Sequence, residues 1–321
     1  MPDYSRSIVA AETIELTLPH HCAGQRLDQA LSLLLPQYSR SRLARWIRDG
    51  QVELDGRAAL PKAKMYGGEK IRIAPLPDPS ATAAQPEAIA LDVVYEDDAL
   101  LVVNKPAGLV VHPGSGNWSG TLLNALLAHA PALAALPRAG IVHRLDKDTS
   151  GLLVVAKTLE AQTSLVRQLQ ARSVKREYFA LAHGKIVRGG SIEAPIGRHP
   201  ARRTRMAVTA RGKPATTHYE ILRRYPHATL LRCRLETGRT HQIRVHLQSI
   251  GHPLVGDPAY GRRAHSRDGA GADPLLTAFP RQALHAQRLE LIHPASGKRV
   301  AWEAPLPPDL EALLAALDTQ K

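Results

Sequence analysis

The chain has 321 residues and a formal net charge of +13, with 42 lysine and arginine residues against 29 acidic residues. Such an excess favours a polyanionic partner, usually nucleic acid, although basic proteins also bind acidic membranes. Aromatic residues make up only 4% of the chain, which argues against a base-stacking platform with many rings.

The two cysteines, Cys22 and Cys233, exclude a disulfide framework and a cysteine-rich zinc site. Unpaired thiols are typical of a reducing cytosol. The N-terminal stretch MPDYSRSIVAAETIELTLP lacks the apolar core of a signal peptide. No apolar run reaches the ~18 residues that span a bilayer. We therefore expect a soluble, cytoplasmic protein without a membrane partner.

The residue pattern predicts two domains joined by a linker. A stretch rich in Pro, Ala and Ser at 74–88 has no apolar period, so it is predicted to be an extended spacer. It separates a small domain with an N-terminal extension, at 1–73, from a larger domain at 89–321. In the small domain, the apolar spacing of RLDQALSLLL predicts a first helix.

A second helix is predicted over SRSRLARWIRDG, capped by Ser39 and ended by Gly50. Arg42, Arg45 and Arg48 recur at three-residue spacing on this helix and form a cationic ridge suited to phosphate contacts. A solvated helix face has the same pattern, and it is the net charge that favours RNA. The segments QVELDG and GGEKIRI, which follow, are predicted strands.

Strands dominate the larger domain, with helices between some of them, which predicts an α+β fold with a mixed, mainly antiparallel sheet and flanking helices. The predicted strands lie in LDVVYEDDALLVVNKP, GLLVVAK, REYFALAHG, ATTHYEILRRY, ATLLRCRLETG and a hairpin in RLELIHPASGKRVAWEAPLP. Helices are predicted at 121–130, in LEAQTSLVRQLQA, and in RTHQIRVHLQSIG, where Thr240 is the candidate cap. The Gly-rich stretch 262–276 is predicted to be a mobile surface loop.

The segment GIVHRLDKDTSGLLVVAK contains the first candidate catalytic residue, Asp146. It lies where a polar loop enters an apolar strand, a common position for a catalytic side chain on a rigid scaffold. Partial burial disfavours its ionised form unless a cation is near. Arg244, on the predicted helix of TGRTHQIRVH, is a candidate partner. The residues alone leave two alternatives open: an ordinary turn aspartate with a surface arginine, or a paired carboxylate in an enzyme site.

Segments of this chain resemble two known families. The helix pair and small sheet at about 24–73 resemble the S4 RNA-binding domain. The motifs GIVHRLDKDTSGLLVVAK, REYFALAHG, GRTHQIRVHL and HPLVGDPAYG, in this order behind such a domain, resemble the RluA-type pseudouridine synthases over almost the whole chain. Further segments, such as PIGRHPARRTRMAV and RQALHA, resemble the member of that family that modifies the helix 69 stem-loop of 23S rRNA.

The resemblance implies isomerisation of uridine to pseudouridine in RNA, with no cofactor and no metal. It implies that Asp146 is the catalytic carboxylate, that Tyr178 lies against the flipped uracil, and that Arg244 pairs with the aspartate. It implies that Val245 packs against the base and that Arg144 enters the space that the base leaves. The implied partner is 23S rRNA, the large ribosomal subunit or its precursor, bound by a monomer.

Other functions are weighed beside this one. The same reaction at another rRNA or tRNA position fits the same motifs. A non-catalytic rRNA-binding assembly factor would not need the set of Asp146, Tyr178 and Arg244. A retaining glycosidase needs two carboxyl groups about 5 Å apart, and beside Asp148 the motif offers no obvious second carboxylate. His143 is predicted to be a hydrogen-bonded structural residue, and the spacing of His241 and His246 suits a metal poorly.

Overall fold

The computed structural model describes residues 13–36, 38, 40–60, 62–74, 85–114, 116–261 and 273–320, apart from the side chains of residues 41 and 42. The chain divides into two units, residues 1–81 and residues 82–321. No helix in the described ranges is long and apolar enough to cross a membrane.

The first unit is a pair of helices on a small antiparallel sheet. Its elements are β1 (Ile14–Thr17), α1 (Leu27–Leu34), α2 (Arg40–Arg48), β2 (Val52–Leu54), β3 (Arg57–Ala58) and β4 (Lys70–Ile73). The strand order is β1-β4-β2-β3. Leu27, Leu31, Leu43, Trp46 and Ile47 from the two helices form one core with Ile71 and Ile73 of β4. The predicted helix pair and strands are present.

Two features of this unit bear on the sequence predictions. Gly50 follows α2 with a φ of +75°, the left-handed conformation that commonly ends a helix at glycine. The proposed cap Ser39 lies outside the described residues. Strand β1 was not predicted, although its four residues alternate between apolar and polar side chains. It forms by pairing with β4, with Ile14 opposite Ile73.

The second unit contains a large sheet with helices around it. Its first elements are β5 (Val93–Glu96), β6 (Leu100–Lys105), α3 (Leu122–His129), β7 (Ser150–Ala156), α4 (Leu159–Gln170), β8 (Lys175–His183), β9 (Gly190–Glu193), β10 (Ile196–Arg198) and β11 (Met206–Val208). They are followed by β12 (Thr216–Arg224), β13 (Ala228–Leu235), α5 (Gln242–Ser249), α6 (Pro274–Ala278), β14 (Leu284–Ile292), β15 (Arg299–Glu303) and α7 (Pro308–Asp318).

The large sheet has the order β5-β6-β7-β14-β8-β13-β12-β9, with β15 paired to β14. Its strand pairs are antiparallel except for β7 and β14, which run parallel. The predicted α+β fold with a mixed, mainly antiparallel sheet is therefore confirmed. All seven residues of β7 are buried, as expected for a continuous apolar strand in the middle of a sheet.

Glycine is required where β7 begins. Gly151 has a φ of +110°, and a Cβ atom at this position would lie 2.2 Å from the carbonyl oxygen of Ala286 on β14. Gly151 and Ala286 are register partners in the parallel pair. The glycine therefore lets the backbone of β7 approach β14 directly after the loop that contains Asp146.

Three local predictions need correction or limits. Helix α5 is preceded by His241 with a φ of +57°, so Thr240 is not its cap. The predicted loop at 262–276 is wrong at its end: Asp273 caps α6 by accepting from the amide of Leu275, and Leu276 is buried. Residues 262–272 lie outside the described ranges, as do residues 75–84 of the predicted linker.

The last residues of the predicted linker contact α3. The carbonyl of Gln85 accepts from Nδ2 of Asn124 at 2.7 Å, and the amide of Glu87 donates to the carbonyl of Asn124 at 3.0 Å. This contact was not predictable from the sequence. The linker residues contribute backbone groups to it, and their side chains show no apolar period. Helix α7, which packs its leucines on the core near Phe279, was also not predicted.

Candidate active site

Asp146 lies in the loop that leads into β7 and is held by a residue from a distant helix. Its side chain is 16% exposed, and its Oδ2 accepts a hydrogen bond of 2.9 Å from Nη1 of Arg244. Its backbone carbonyl accepts from the amide of Thr149 at 3.1 Å, which closes a turn. Asp146 is therefore a turn residue, but Arg244 is buried and is not a surface arginine, so the structure shows the paired carboxylate of the second alternative.

Arg244, on α5, links two carboxylates. While Nη1 contacts Asp146, Nε and Nη2 donate to the two oxygens of Asp257 at 2.7 and 2.9 Å. The Asp257 side chain is fully buried and accepts two more hydrogen bonds, from the backbone amides of Ala259 and Tyr260. A bidentate contact fixes the plane of a guanidinium group. Asp257 therefore positions the arginine that holds Asp146.

The charge of this arginine is strongly stabilised. Burial opposes it, but the hydrogen bonds and charge of Asp257, followed by those of Asp146, outweigh burial and raise the pKa of Arg244 above its usual value. Arg244 therefore stays cationic at every accessible pH. A buried ion pair loses solvation, and its remaining hydrogen-bond groups must be satisfied by protein. The backbone amides around Asp257 do this.

The second oxygen of Asp146 faces a histidine. Its Oδ1 lies 3.8 Å from Nε2 of His241 and accepts no hydrogen bond from the residues that the structure describes. The Tyr260 hydroxyl accepts from the amide of Met206 at 2.9 Å and lies 2.8 Å from Nδ1 of His241. The Tyr260 hydroxyl can donate its proton to Nδ1 or accept one from it, so this contact is compatible with either tautomer of the imidazole. Burial lowers the pKa of His241, although Asp146 opposes this; Oδ1 therefore faces a neutral ring.

Tyr178 lies on β8, in register between Cys233 of β13 and Ala286 of β14. Its side chain is buried and forms part of the same cavity wall as Asp146. Burial raises the pKa of Tyr178 above its usual value; Arg176 opposes the shift and Asp146 reinforces it. The residue is therefore a neutral phenol near neutral pH, with a flat ring and a hydroxyl that can donate a proton or a hydrogen bond.

A cavity of about 530 Å³ opens beside these residues. This volume lies within the range of about 300–1,000 Å³ found for small-ligand sites. Among the described residues that line it, Asp146 is the one carboxylate. The cationic and imidazole side chains of the wall are His112, Arg138, His143, Arg144, Arg176, Arg239, His241 and Arg244. This lining suits an anionic ligand, which the arginines can bind while Asp146 contacts its reacting atoms.

The buried Lys105 holds the loop that contains Asp146. The Nζ of Lys105 donates to the carbonyls of Pro106, Leu109 and Lys147 at 2.7, 2.9 and 2.9 Å. Burial lowers its pKa to about 7, while the charges of Asp148 and Asp146 oppose the shift. Because Lys147 follows Asp146 directly, this lysine restrains the backbone that carries the carboxylate.

His143 is a structural residue, as predicted. Its Nε2 accepts a hydrogen bond of 3.1 Å from the backbone amide of Val154 on β7. Burial, with Arg176 as a further cause, lowers the pKa of His143 to about 3. The imidazole is therefore neutral at physiological pH and serves to attach the loop before Asp146 to the strand after it.

The other predicted site residues are placed differently. Arg144 is exposed, lines the cavity and makes no hydrogen bond to the residues that the structure describes. Val245 was predicted to pack against the base, but it is 1% exposed, packs with Ile196 and Tyr260 and does not line the cavity. Successive residues of a helix point about 100° apart, so Val245 turns away from the side on which Arg244 meets Asp146. Ile243 lines the cavity instead.

The predicted cationic ridge on α2 is partly described. Arg45 is exposed and lies 3.4 Å from Asp49, and Arg48 is exposed and donates to the carbonyl of Ala44 at 3.1 Å. The Arg42 side chain lies outside the described residues. Within the described ranges no group of three or more His, Cys, Asp or Glu residues could hold a metal ion, and both cysteines are free and buried.

Comparison with known proteins identifies the family. The family model for RNA pseudouridylate synthase matches residues 99–249, and the S4 domain model matches residues 25–65. Ribosomal large subunit pseudouridine synthase D of Nitrosomonas europaea is 61% identical over 305 residues, which cover 95% of this chain and 88% of the relative. The chain belongs to the RluA-type pseudouridine synthase family.

Other members of the pseudouridine synthase family agree with this assignment. The relative of the same name in Neisseria meningitidis serogroup A is 54% identical over 316 residues, covering 98% of this chain and 84% of that protein. Among solved structures, human RNA Pseudouridylate Synthase Domain Containing 1 is 29% identical, with a TM-score of 0.54. It covers 71% of this chain and 89% of the human chain. The enzyme class and the S4 domain predicted from the sequence are therefore confirmed.

Sequence reasoning missed several pseudouridine synthase residues that the structure brings to the site. Asp257 stands in the motif HPLVGDPAYG, where an acid between glycine and proline after an apolar run was a usable signal of a buried turn. Lys105 stands at the end of the apolar strand LLVVNK, and its burial depends on three carbonyls that no sequence pattern reveals. Arg176 alternates with Tyr178 on β8.

Proposed function

We propose that this chain isomerises uridine to pseudouridine in the helix 69 stem-loop of 23S rRNA, with Asp146 as the catalytic carboxylate. The observation that carries the proposal is the contact between Asp146 and Arg244 at the wall of a cavity that also contains Tyr178. The choice of RNA rests on the similarity to proteins named ribosomal large subunit pseudouridine synthase D.

The reaction is an isomerisation, so uridine and pseudouridine have the same atomic composition. The bond between C1′ and N1 breaks, the uracil rotates within the site, and C5 bonds to C1′ and loses its proton, while N1 gains a proton. The target nucleotide must first leave its stack, which costs a few kcal/mol. The volume of the cavity supports binding of an extruded nucleotide. The exposed Arg144 at its wall can occupy the position that the base leaves in the RNA stack.

Asp146 acts at the sugar through the oxygen that Arg244 does not occupy. Oδ1 can attack C1′ as a nucleophile, or it can assist departure of the uracil anion and then accept a ribose proton. Both routes need an ionised carboxylate, and the guanidinium of Arg244 provides a counter-charge 2.9 Å from Oδ2. Tyr178 lies against the base and takes part in removal of the C5 proton.

The second carboxylate of the region does not suit hydrolysis. Asp257 is fully buried, is bound on both oxygens by Arg244, and does not line the cavity in the described part of the chain. A retaining glycosidase needs its second carboxyl group free at the reacting sugar. The geometry thus favours isomerisation over release of free uracil.

The S4 domain supplies further affinity for the RNA. We assign this role to the exposed arginines of α2, Arg45 and Arg48, together with Arg42. Contacts to phosphates position an RNA without reading its bases. The domain limits that we propose are 1–73 for the S4 domain with its N-terminal extension, 74–88 for the linker and 89–321 for the catalytic domain. The protein acts as a monomer on 23S rRNA, the large subunit or its precursor.

The decisive experiment maps pseudouridine in 23S rRNA from cells that lack this gene. Loss confined to helix 69, restored by the wild-type gene and not by an Asp146→Asn gene, is the expected result. Loss at other rRNA or tRNA positions would retain the enzyme class and change the target. Purified protein incubated with 23S rRNA or with assembled subunits separates the remaining alternatives, because isomerised base, free base and unmodified RNA are distinguishable products.

A further inference from the structure

Arg176 is a buried cation without a protein partner. It is 8% exposed, and its Nε is buried without a hydrogen-bond partner. No hydrogen bond or ion pair joins its guanidinium to another residue in the part of the chain that the structure describes. The two other buried arginines of the described ranges are paired, Arg244 with Asp146 and Asp257, and Arg281 with Asp309.

An unpaired buried charge destabilises a fold, because it loses water and gains nothing in return. Such costs persist where a ligand completes the interaction. Arg176 lies on the wall of the cavity that contains Asp146, so a ligand in this cavity can reach it. On β8 the residues Arg176 and Tyr178 are both buried, and the intervening Glu177 is turned to the other face, where it pairs with Arg234.

A glycine beside Arg176 leaves room for its guanidinium. Gly238, which precedes α5, also lines the cavity, and a Cβ atom there would lie 2.8 Å from Nη1 of Arg176. The glycine thus allows the end of the arginine to stand at the cavity surface. The neighbouring His143 is neutral, and its Nε2 accepts a hydrogen bond from Val154. His143 therefore does not neutralise the charge of Arg176.

We propose that Arg176 binds the target nucleotide directly, donating from its guanidinium to a negatively charged oxygen of that nucleotide. This proposal rests on the proposed function, since it takes the uridylate as the ligand of the cavity. Two sources offer the same chemistry: the phosphate of the target nucleotide, or the uracil oxygens, which become anionic when the bond to C1′ breaks. A guanidinium in a dry site stabilises either strongly.

The test compares Arg176→Met with wild type on a helix 69 stem-loop RNA. Methionine keeps an unbranched side chain of similar reach and removes the charge. We expect a loss of about 10- to 100-fold in affinity or in single-turnover rate, the size of a charged hydrogen bond. The thermal midpoint should stay equal or rise, because the variant removes a buried unpaired cation. Lys175→Met, at an exposed position of the same strand, is the matched control and should match wild type.

A second RNA, with a neutral methylphosphonate at the target nucleotide, distinguishes the two sources. If the phosphate is the partner, this RNA binds wild type more weakly, and Arg176→Met adds no further loss. If the uracil anion is the partner, the two effects multiply and the variant's defect lies in the rate at saturating RNA. The proposal is overturned if Arg176→Met retains affinity and rate within about twofold, or if activity falls only in proportion to a lowered thermal midpoint.

The proposed target and the proposed role of Arg176 are tested by different measurements. A wild-type protein that leaves the helix 69 RNA unmodified contradicts the proposed function. The role of Arg176 is judged by the ratio of variant to wild type on any uridine-containing RNA that the wild type does modify.

Discussion

Nη1 of Arg244 lies 2.9 Å from Oδ2 of Asp146, although 98 residues separate them in the chain. The contact exists because α5 is folded over the loop that enters β7. The other edge of the same guanidinium is held by Asp257. One planar cation therefore pairs with two carboxylates, one fully buried and one at the cavity wall.

Replacement of Arg244 by methionine is expected to destabilise the protein. The variant leaves Asp257 buried without its counter-charge, a change that typically costs about 3–5 kcal/mol of unfolding free energy. Urea unfolding at neutral pH measures it, and Arg244→Lys, which keeps one charge and loses the bidentate contact, should give a smaller loss. A destabilisation below about 1 kcal/mol would show that this ion pair contributes little to the fold.

Asp146→Asn is expected to abolish pseudouridine formation and to leave RNA affinity largely intact. An amide can neither attack C1′ nor accept a proton, yet it occupies the same volume. Tritium release from C5-labelled uridine in RNA, together with a filter-binding assay, measures both properties. Asp148→Asn, in the same loop, is the control and should retain turnover. Normal turnover by Asp146→Asn would remove this residue from the chemistry.

Arg144→Ala is expected to slow base extrusion more than it weakens RNA binding. The side chain is exposed and makes no hydrogen bond to the described residues, so it is free to enter the stack that the target leaves. Stopped-flow fluorescence of a 2-aminopurine placed beside the target uridine reports this step. Lys147→Ala removes another exposed charge of the loop and should extrude the base at the wild-type rate. Equal extrusion rates for Arg144→Ala and wild type would contradict the assigned role.

The stability of the protein is expected to decrease in acid because of His143. Its pKa in the folded state is about 3, whereas an unperturbed histidine titrates near 6.5. Below pH 6.5 the unfolded chain binds more protons than the folded chain, so unfolding becomes easier as the pH falls toward 3. The contribution of one such histidine is at most about 1.4 kcal/mol per pH unit.

His143→Gln tests this contribution. Glutamine can accept the hydrogen bond from Val154 without titrating, so the unfolding free energy of this variant should fall less steeply between pH 6.5 and 4.5. His285, whose pKa burial lowers to about 4, remains in both proteins, so some slope is expected to persist. Identical slopes for the variant and wild type would show that the imidazole of His143 is already protonated in the folded state.

Much of the fold was predictable from local pattern. The alternation in ATLLRCRLETG and the apolar run GLLVVAK predicted strands that became β13 and β7. The loop position of Asp146 and the inward position of Arg244 were likewise predictable from the change between polar and apolar residues. The order of the strands was not, since β7 and β14 pair in parallel although their register partners Ser150 and His285 are 135 positions apart.

The rest of the site depended on three-dimensional arrangement. Val245 and Arg244 are neighbours in sequence, yet they face different surroundings because α5 turns between them. Lys105, within an apolar strand, has the pattern of a residue whose amine extends to solvent, and only the converging carbonyls explain its burial. Arg176 gave no signal, because a missing partner is not visible in a sequence.

The three carbonyls held by Lys105 have a consequence for the choice of substrate. Because Lys105 holds the peptide of Lys147, we expect the neighbouring Asp146 to keep its position, so that the target nucleotide has to move to it. Rigid paired helices resist that deformation, whereas loops and bulges already hold bases that are partly unstacked. A carboxylate in a fixed position therefore favours target uridines in loops and bulges over those in paired helices.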